Sequence, residues 1–63
     1  MYKIETKKLG IHDGRTAYGE TRAEVKSKMF TFLETFHPTY IGQQTIQRLA
    51  EIDAALEDAI EEA

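Results

Sequence analysis

Apolar and polar positions alternate at the start of the chain, with Tyr2, Ile4 and Thr6 separated by Lys3, Glu5 and Lys7. A period of two predicts a β-strand with one face against a core. Asp13-Gly14 is a hairpin turn signal, because glycine reaches positive φ without steric cost. Thr16, Ala17 and Tyr18 supply a return strand that Gly19 ends, which predicts a hairpin over about residues 2–19. Ile4 is even-numbered, whereas Leu9 and Ile11 are odd, so one regular strand would send them to opposite faces. A bulge near residues 8–10 restores a common face, and so does a short first strand followed by a separate tight turn.

The period then changes. Thr21-Arg22-Ala23-Glu24 has capping-box spacing, and it predicts a first helix over about residues 22–36. Val25, Met29, Phe32 and Phe36 fall within about 60° of one another at helical spacing, Leu33 widens the stripe, and Phe30 widens it further. His37-Pro38 breaks the pattern. A second amphipathic helix is predicted over about residues 40–62, its start blurred by Gly42. Its stripe is Ile41, Ile46, Leu49, Ile52, Leu56 and Ile60, with Ala59 and Ala63 at the edge.

The order β-β-α-α predicts a small α+β fold: an N-terminal hairpin followed by two antiparallel amphipathic helices in a single domain of 63 residues. A domain near this size buries only about 60% of the surface its unfolded chain exposes. With no cysteine, and with His12 and His37 as the only histidines, neither a disulfide nor a structural zinc compensates. Homo-oligomerisation is therefore expected, helix to helix or hairpin edge to hairpin edge, with Phe30 and Tyr40 as surplus large residues for the contact.

Charge sharpens the reading. The net charge is −3, but residues 1–31 carry +3 and residues 32–63 carry −6. Glu51, Glu57, Asp58, Glu61 and Glu62 would share the polar face of the second helix. Like charges four apart destabilise a helix by about 0.2–0.5 kcal/mol per pair, and carboxylates oppose the dipole at a helix C-terminus. A local rule broken repeatedly in one place can mark function. The principal expectation is a non-enzymatic protein-interaction module, an inhibitor or adaptor whose acidic helix face docks on a basic partner protein. Small accessory proteins of viruses and mobile elements offer an analogy of size and charge alone.

Two alternatives use other residues. Lys7, Lys8, Arg15, Arg22 and Lys28 form a basic patch able to contact phosphates, with Tyr2 or Tyr18 to stack on bases. Interleaved acids and a pI near 5.2 weigh against nucleic acid. The other alternative is a structural homo-oligomer.

No catalytic constellation stands out. His12-Asp13 belongs to the turn, Ser27 is the only serine, and the glycines form no phosphate loop. Glu34-Thr35-Phe36-His37 has the Glu-x-x-His spacing of di-iron bundles, but Glu34 falls on the polar face of the first helix. No cofactor or metal is expected. No apolar run of about 18 residues spans a membrane, and residues 1–10 lack a signal-peptide core, so the expected compartment is the cytoplasm.

Overall fold

The computed structural model describes residues 1–63. Strand β1 (Tyr2–Glu5) lies between β2 (Thr16–Gly19) and β3 (Ile60–Glu62) in a three-stranded antiparallel sheet of order β2-β1-β3. Ile4 sits opposite Ala17 on one side and Ile60 on the other, and Lys3 sits between Tyr18 and Glu61. Directly opposed residues point to the same face, so Ile4, Ala17 and Ile60 form the apolar side of the sheet. Ile4 is fully buried.

The first strand is short. After Glu5 the chain makes a 3₁₀ turn over Thr6–Leu9, capped by Gly10 at φ +80°. The turn reorients the chain so that Leu9 and Ile11 pack on the same core as Ile4, which resolves the parity conflict. Of the two routes that conflict left open, the chain takes the short strand and the separate turn.

Helix α1 (Arg22–Phe36) has the predicted limits. Thr21 Oγ1 accepts the Glu24 N–H at 3.0 Å, and Glu24 Oε1 accepts the Glu20 N–H at 2.6 Å. Two otherwise free donors at the helix start are thereby satisfied. The buried stripe is Val25, Met29 and Leu33, a strict four-residue spacing. Leu33 is therefore central rather than marginal. Phe32 is half-buried, and Phe36, placed in the stripe by the sequence pattern, is 66% exposed.

The second predicted helix is divided. A single turn, α2 (Pro38–Ile41), buries Ile41, and Gly42 at φ +67° then redirects the chain. Helix α3 (Ile46–Ala59) begins under a Thr45 cap, whose Oγ1 accepts the Arg48 N–H at 3.1 Å. The Arg48 guanidinium reaches back to the carbonyls of Ile41 (3.1 Å) and Tyr40, satisfying acceptors that α2 leaves open. Ile46 lies in the first turn of α3 and is 91% exposed, not part of the buried stripe.

The expected helix over about residues 40–62 also stops early. Ile60 takes extended geometry, φ −66° and ψ 133°, and residues Ile60–Glu62 pair with β1. Ala63 N–H extends this ladder to Met1 O at 3.1 Å. The core thus comprises Ile4, Val25, Met29, Leu33, Ile41, Ile52, Leu56 and Ala59, drawn from the middle strand and all three helices. Full burial of each large aliphatic side chain contributes about 1.5–3 kcal/mol.

Gly19 joins β2 to α1 at close quarters. A Cβ there would stand 2.5 Å from Val25 N and 2.9 Å from Val25 Cα. Both are backbone atoms held by the first turn of α1, so neither can yield cheaply. Gly19→Ala is expected to lower stability by about 1–3 kcal/mol, measured as a reduced urea midpoint at unchanged slope. An unshifted midpoint would show that the strand–helix junction is loose.

Candidate interaction surface

The five carboxylates expected on one helix face do not share one. Glu51, Glu57 and Asp58 are on α3, whereas Glu61 and Glu62 are in β3. Glu57 is engaged within the chain by Arg22 and by Lys26 (3.3 Å), and Lys26 Nζ also reaches Asp53 at 3.1 Å. Glu51 pairs with Arg48 at 3.3 Å. The Arg22 guanidinium holds the Glu57 carboxyl below the usual range, with Lys26 acting in the same direction. The Asp53 and Glu57 carboxylates raise Lys26 in return, against partial desolvation. Lys26 of α1 thus bridges Asp53 and Glu57, a like-charge pair at four-residue spacing that stays helical. The unpaired remainder is Asp58, Glu61 and Glu62, and one Glu61 oxygen is shielded without a hydrogen-bond partner.

The expected basic patch is divided as well. Arg22 is taken up by Glu57 and stacks 5.8 Å from the Tyr2 ring centroid. Lys7 pairs with Glu5 at 3.3 Å, which with Lys3 holds that carboxyl low. Lys8, Arg15 and Lys28 are exposed, and their side chains make no ion pair in the chain. Phe30 and Tyr40, the expected oligomer contacts, are both half-buried. Phe30 lines a hollow between α1 and α3, and Tyr40 carries the Arg48 guanidinium 5.3 Å from its ring centroid.

Arg15 and Lys28 belong to a different feature. Three hollows of about 340, 270 and 540 Å³ follow one another along α1, the first two beside β2 and the third beside the turn that precedes it. Lys28 lines the first and second, while Arg15 and Phe32 line the second and third. Met1, Tyr18, Glu20 and Glu24 surround one end of this groove. Phe36 and His37 close the other. Four large apolar side chains are strongly exposed in the molecule, and three of them, Met1 (64%), Tyr18 (51%) and Phe36 (66%), line this groove.

The groove runs beside unpaired backbone. Thr6 N–H donates to Arg15 O at 3.0 Å, which makes Thr6 and Arg15 a hydrogen-bonded pair next to the β1–β2 ladder. Antiparallel ladders alternate, so Ala17 and Gly19 bond inward to β1 while Thr16 and Tyr18 direct N–H and C=O outward.

The basic end is fixed by a three-residue string. Buried Thr6 donates its hydroxyl to Asp13 Oδ1 at 2.6 Å, and the Arg15 N–H donates to the same oxygen at 3.0 Å. Asp13 Oδ2 accepts from His37 Nε2 at 2.6 Å. The turn between the strands is thereby tied to the C-terminus of α1, where the His37 N–H also donates to Leu33 O at 2.8 Å. The Thr6 hydrogen bond is the largest influence on Asp13, and with His37 and the Arg15 N–H it lowers that carboxyl to about 2, against partial desolvation.

In the sequence, turn geometry accounts for Asp13 and helix capping for His37. The contact between them has no local signal, because it joins residues far apart in the chain. His12 is exposed, Ser27 lines the α1–α3 hollow, and Glu34 accepts a hydrogen bond from Gln44 at 2.9 Å. Glu34 and His37 do not converge, and no three His, Asp or Glu side chains gather as a metal-binding cluster. No helix is long and apolar enough to cross a membrane. No protein-family model, curated protein or solved structure matches the chain.

Asp13 is more acidic folded than unfolded, so its contribution to stability is complete above its ordinary value of 3.8 and is lost as pH falls through about 2. Denaturant titrations across that window should show falling stability for the native chain and a shallower fall for Asp13→Asn, which starts lower. Parallel profiles would remove Asp13 from the acid response.

Proposed function

We propose that the chain is a non-enzymatic protein-interaction module that takes up a second polypeptide in the groove between α1 and the free edge of β2. The observation that carries this reading is the concentration of exposed apolar side chains, Met1, Tyr18 and Phe36, along one unpaired strand edge. Such an edge offers main-chain hydrogen bonds, and the flanking side chains offer selectivity; this is the chemistry of strand addition. Arg15 and Lys28 add cations that no group in the chain neutralises.

The acidic helix face is a weaker basis for docking, because Glu51 and Glu57 already hold cations of their own chain. A nucleic-acid surface is weakened in the same way, by the occupation of Arg22 and Lys7.

The test immobilises the chain and exposes it to nuclease-treated cell lysate mixed with isotope-labelled copies of the same chain. Bound polypeptides are identified by mass spectrometry. Tyr18→Asp with Phe36→Asp should abolish specific binding, and Ile46→Asp, at an equally exposed apolar site outside the groove, should preserve it. Binding that ignores the groove substitutions, or that disappears with Ile46→Asp alone, would reject the reading.

A further inference from the structure

The two ends of the groove have opposite character. One end carries Met1 and Tyr18 beside Glu20, Glu24 and Lys28, and the other carries Phe32 and Phe36 beside Arg15 and the paired Asp13 and His37. Both ends are apolar, and next to the strand edge Glu20 is an unpaired carboxylate at one and Arg15 an unpaired guanidinium at the other. A surface with these properties is complementary to itself when turned end over end. We infer that the polypeptide in the groove is a second copy of this chain, paired antiparallel through β2 about a two-fold axis at Ala17. The inference rests on the reading of the groove as a polypeptide-binding surface.

Backbone geometry restricts the register. Only Thr16 and Tyr18 offer outward N–H and C=O groups within β2, so an added antiparallel strand must present outward groups opposite those two. With the axis at Ala17, Thr16 of each copy meets Tyr18 of the other, and both pairs exchange two hydrogen bonds. A one-residue slip would set outward groups against inward-bonded ones and lose the ladder. The two three-stranded sheets then join into one continuous sheet, with both α1 helices on the same side. Ala17 faces Ala17 at the axis, where a small side chain allows close approach.

Charge then selects the direction. In the antiparallel arrangement Arg15 lies opposite Gly19 of the second copy and beside its Glu20. Both Arg15 and Glu20 are exposed, and neither side chain has a partner within its own chain. Met1 of one copy is carried toward Phe32 and Phe36 of the other, while the Thr16–Tyr18 pairs lie on the sheet face away from α1. Parallel pairing of the same edges would bring Arg15 to Arg15 and Glu20 to Glu20, which is unfavourable. The free edge of β3 is protected from self-pairing by the carboxylate of Glu62. The two Lys28 side chains form the one like-charge contact near the axis, and their exposure leaves it screened by solvent.

Sedimentation equilibrium of the purified full chain, with native mass spectrometry, tests this arrangement. The native chain should form dimers at high micromolar concentration. R15E and E20R each place like charges at two symmetry-related positions, so each should self-associate about tenfold more weakly or worse. Mixed in equal amounts, the two variants should recover a heterodimer, because each contact then pairs opposite charges again. Neither side chain supports the fold of its own chain, so circular dichroism of both variants should match the native protein.

A monomeric native chain, dimers indifferent to R15E and E20R, or a mixture that forms no heterodimer would each overturn the inference. Groove-dependent capture of a foreign polypeptide by a monomeric chain would also overturn it, while leaving the groove as the binding surface. Loss of groove dependence itself would remove both.

Discussion

The fold depends on the pairing of β1 from both sides. Four residues at the start of the chain form the middle of the sheet, and Ile4 reaches the core between Ala17 and Ile60. β2 arrives after a turn, but β3 is the last element of the chain, so the sheet is complete only after every helix has been placed. A two-stranded hairpin is marginal alone, and a third strand with helical cover supplies what it lacks. The contact between Gly19 and the backbone of Val25 couples this sheet to α1. Val25, Met29 and Leu33 then seal the apolar face.

This topology reorganises the charge of the chain. By position, the cations lie early and the anions late. Folding places α1 against α3, and Arg22 and Lys26 meet Asp53 and Glu57 across that junction. Exposed pairs of this kind contribute only about 0–1 kcal/mol each, so they set helix orientation more than stability. Of the five carboxylates expected to face an outside partner, Glu51 and Glu57 are paired within the molecule, and Asp58, Glu61 and Glu62 are left over. Arg15, Lys8 and Lys28 are the cations left free, and two of the three lie in the groove beside β2.

Much of the architecture is legible in the order of the amino acids. Strand alternation locates β1 and β2, and the capping residues at Thr21 and Glu24 locate the start of α1. The parity of Ile4 against Leu9 and Ile11 correctly signals a break after the first strand. The end of the chain misleads, because Glu, Ala and Ile at helical spacing satisfy a helix pattern as well as a strand of three residues can. The broken rule at Glu57, Asp58, Glu61 and Glu62 has a conformational meaning: carboxylates crowd a helix end, and the chain leaves the helix at Ile60. With residues Ile60–Glu62 extended, Glu57–Glu61 and Asp58–Glu62 no longer stand as like-charge pairs at helical spacing. Thr45 is a readable cap, with its hydroxyl three residues before Arg48, but the continuous apolar stripe across it conceals the boundary. The Asp13–His37 contact and the groove have no local signature, since both arise where separate elements meet.

The groove is itself a product of where β3 lies. β1 has two edges, and β3 occupies the one that β2 does not, which leaves β2 with an outer edge open. α1 buries its strict four-residue stripe over the sheet, so Phe32 and Phe36, one turn apart and 5.0 Å between ring centroids, are displaced to the side of that edge. The Thr6–Asp13–His37 string then fixes the turn against the end of α1 and holds Arg15 beside the two rings. An apolar patch without this anchoring would be a collapse hazard on a domain of this size. Here it adjoins ordered backbone donors and acceptors and carries a defined charge at each end. Under the proposed reading, those features would discriminate between occupants as well as attract them. The same contacts that complete the small core therefore also prepare the surface beside it.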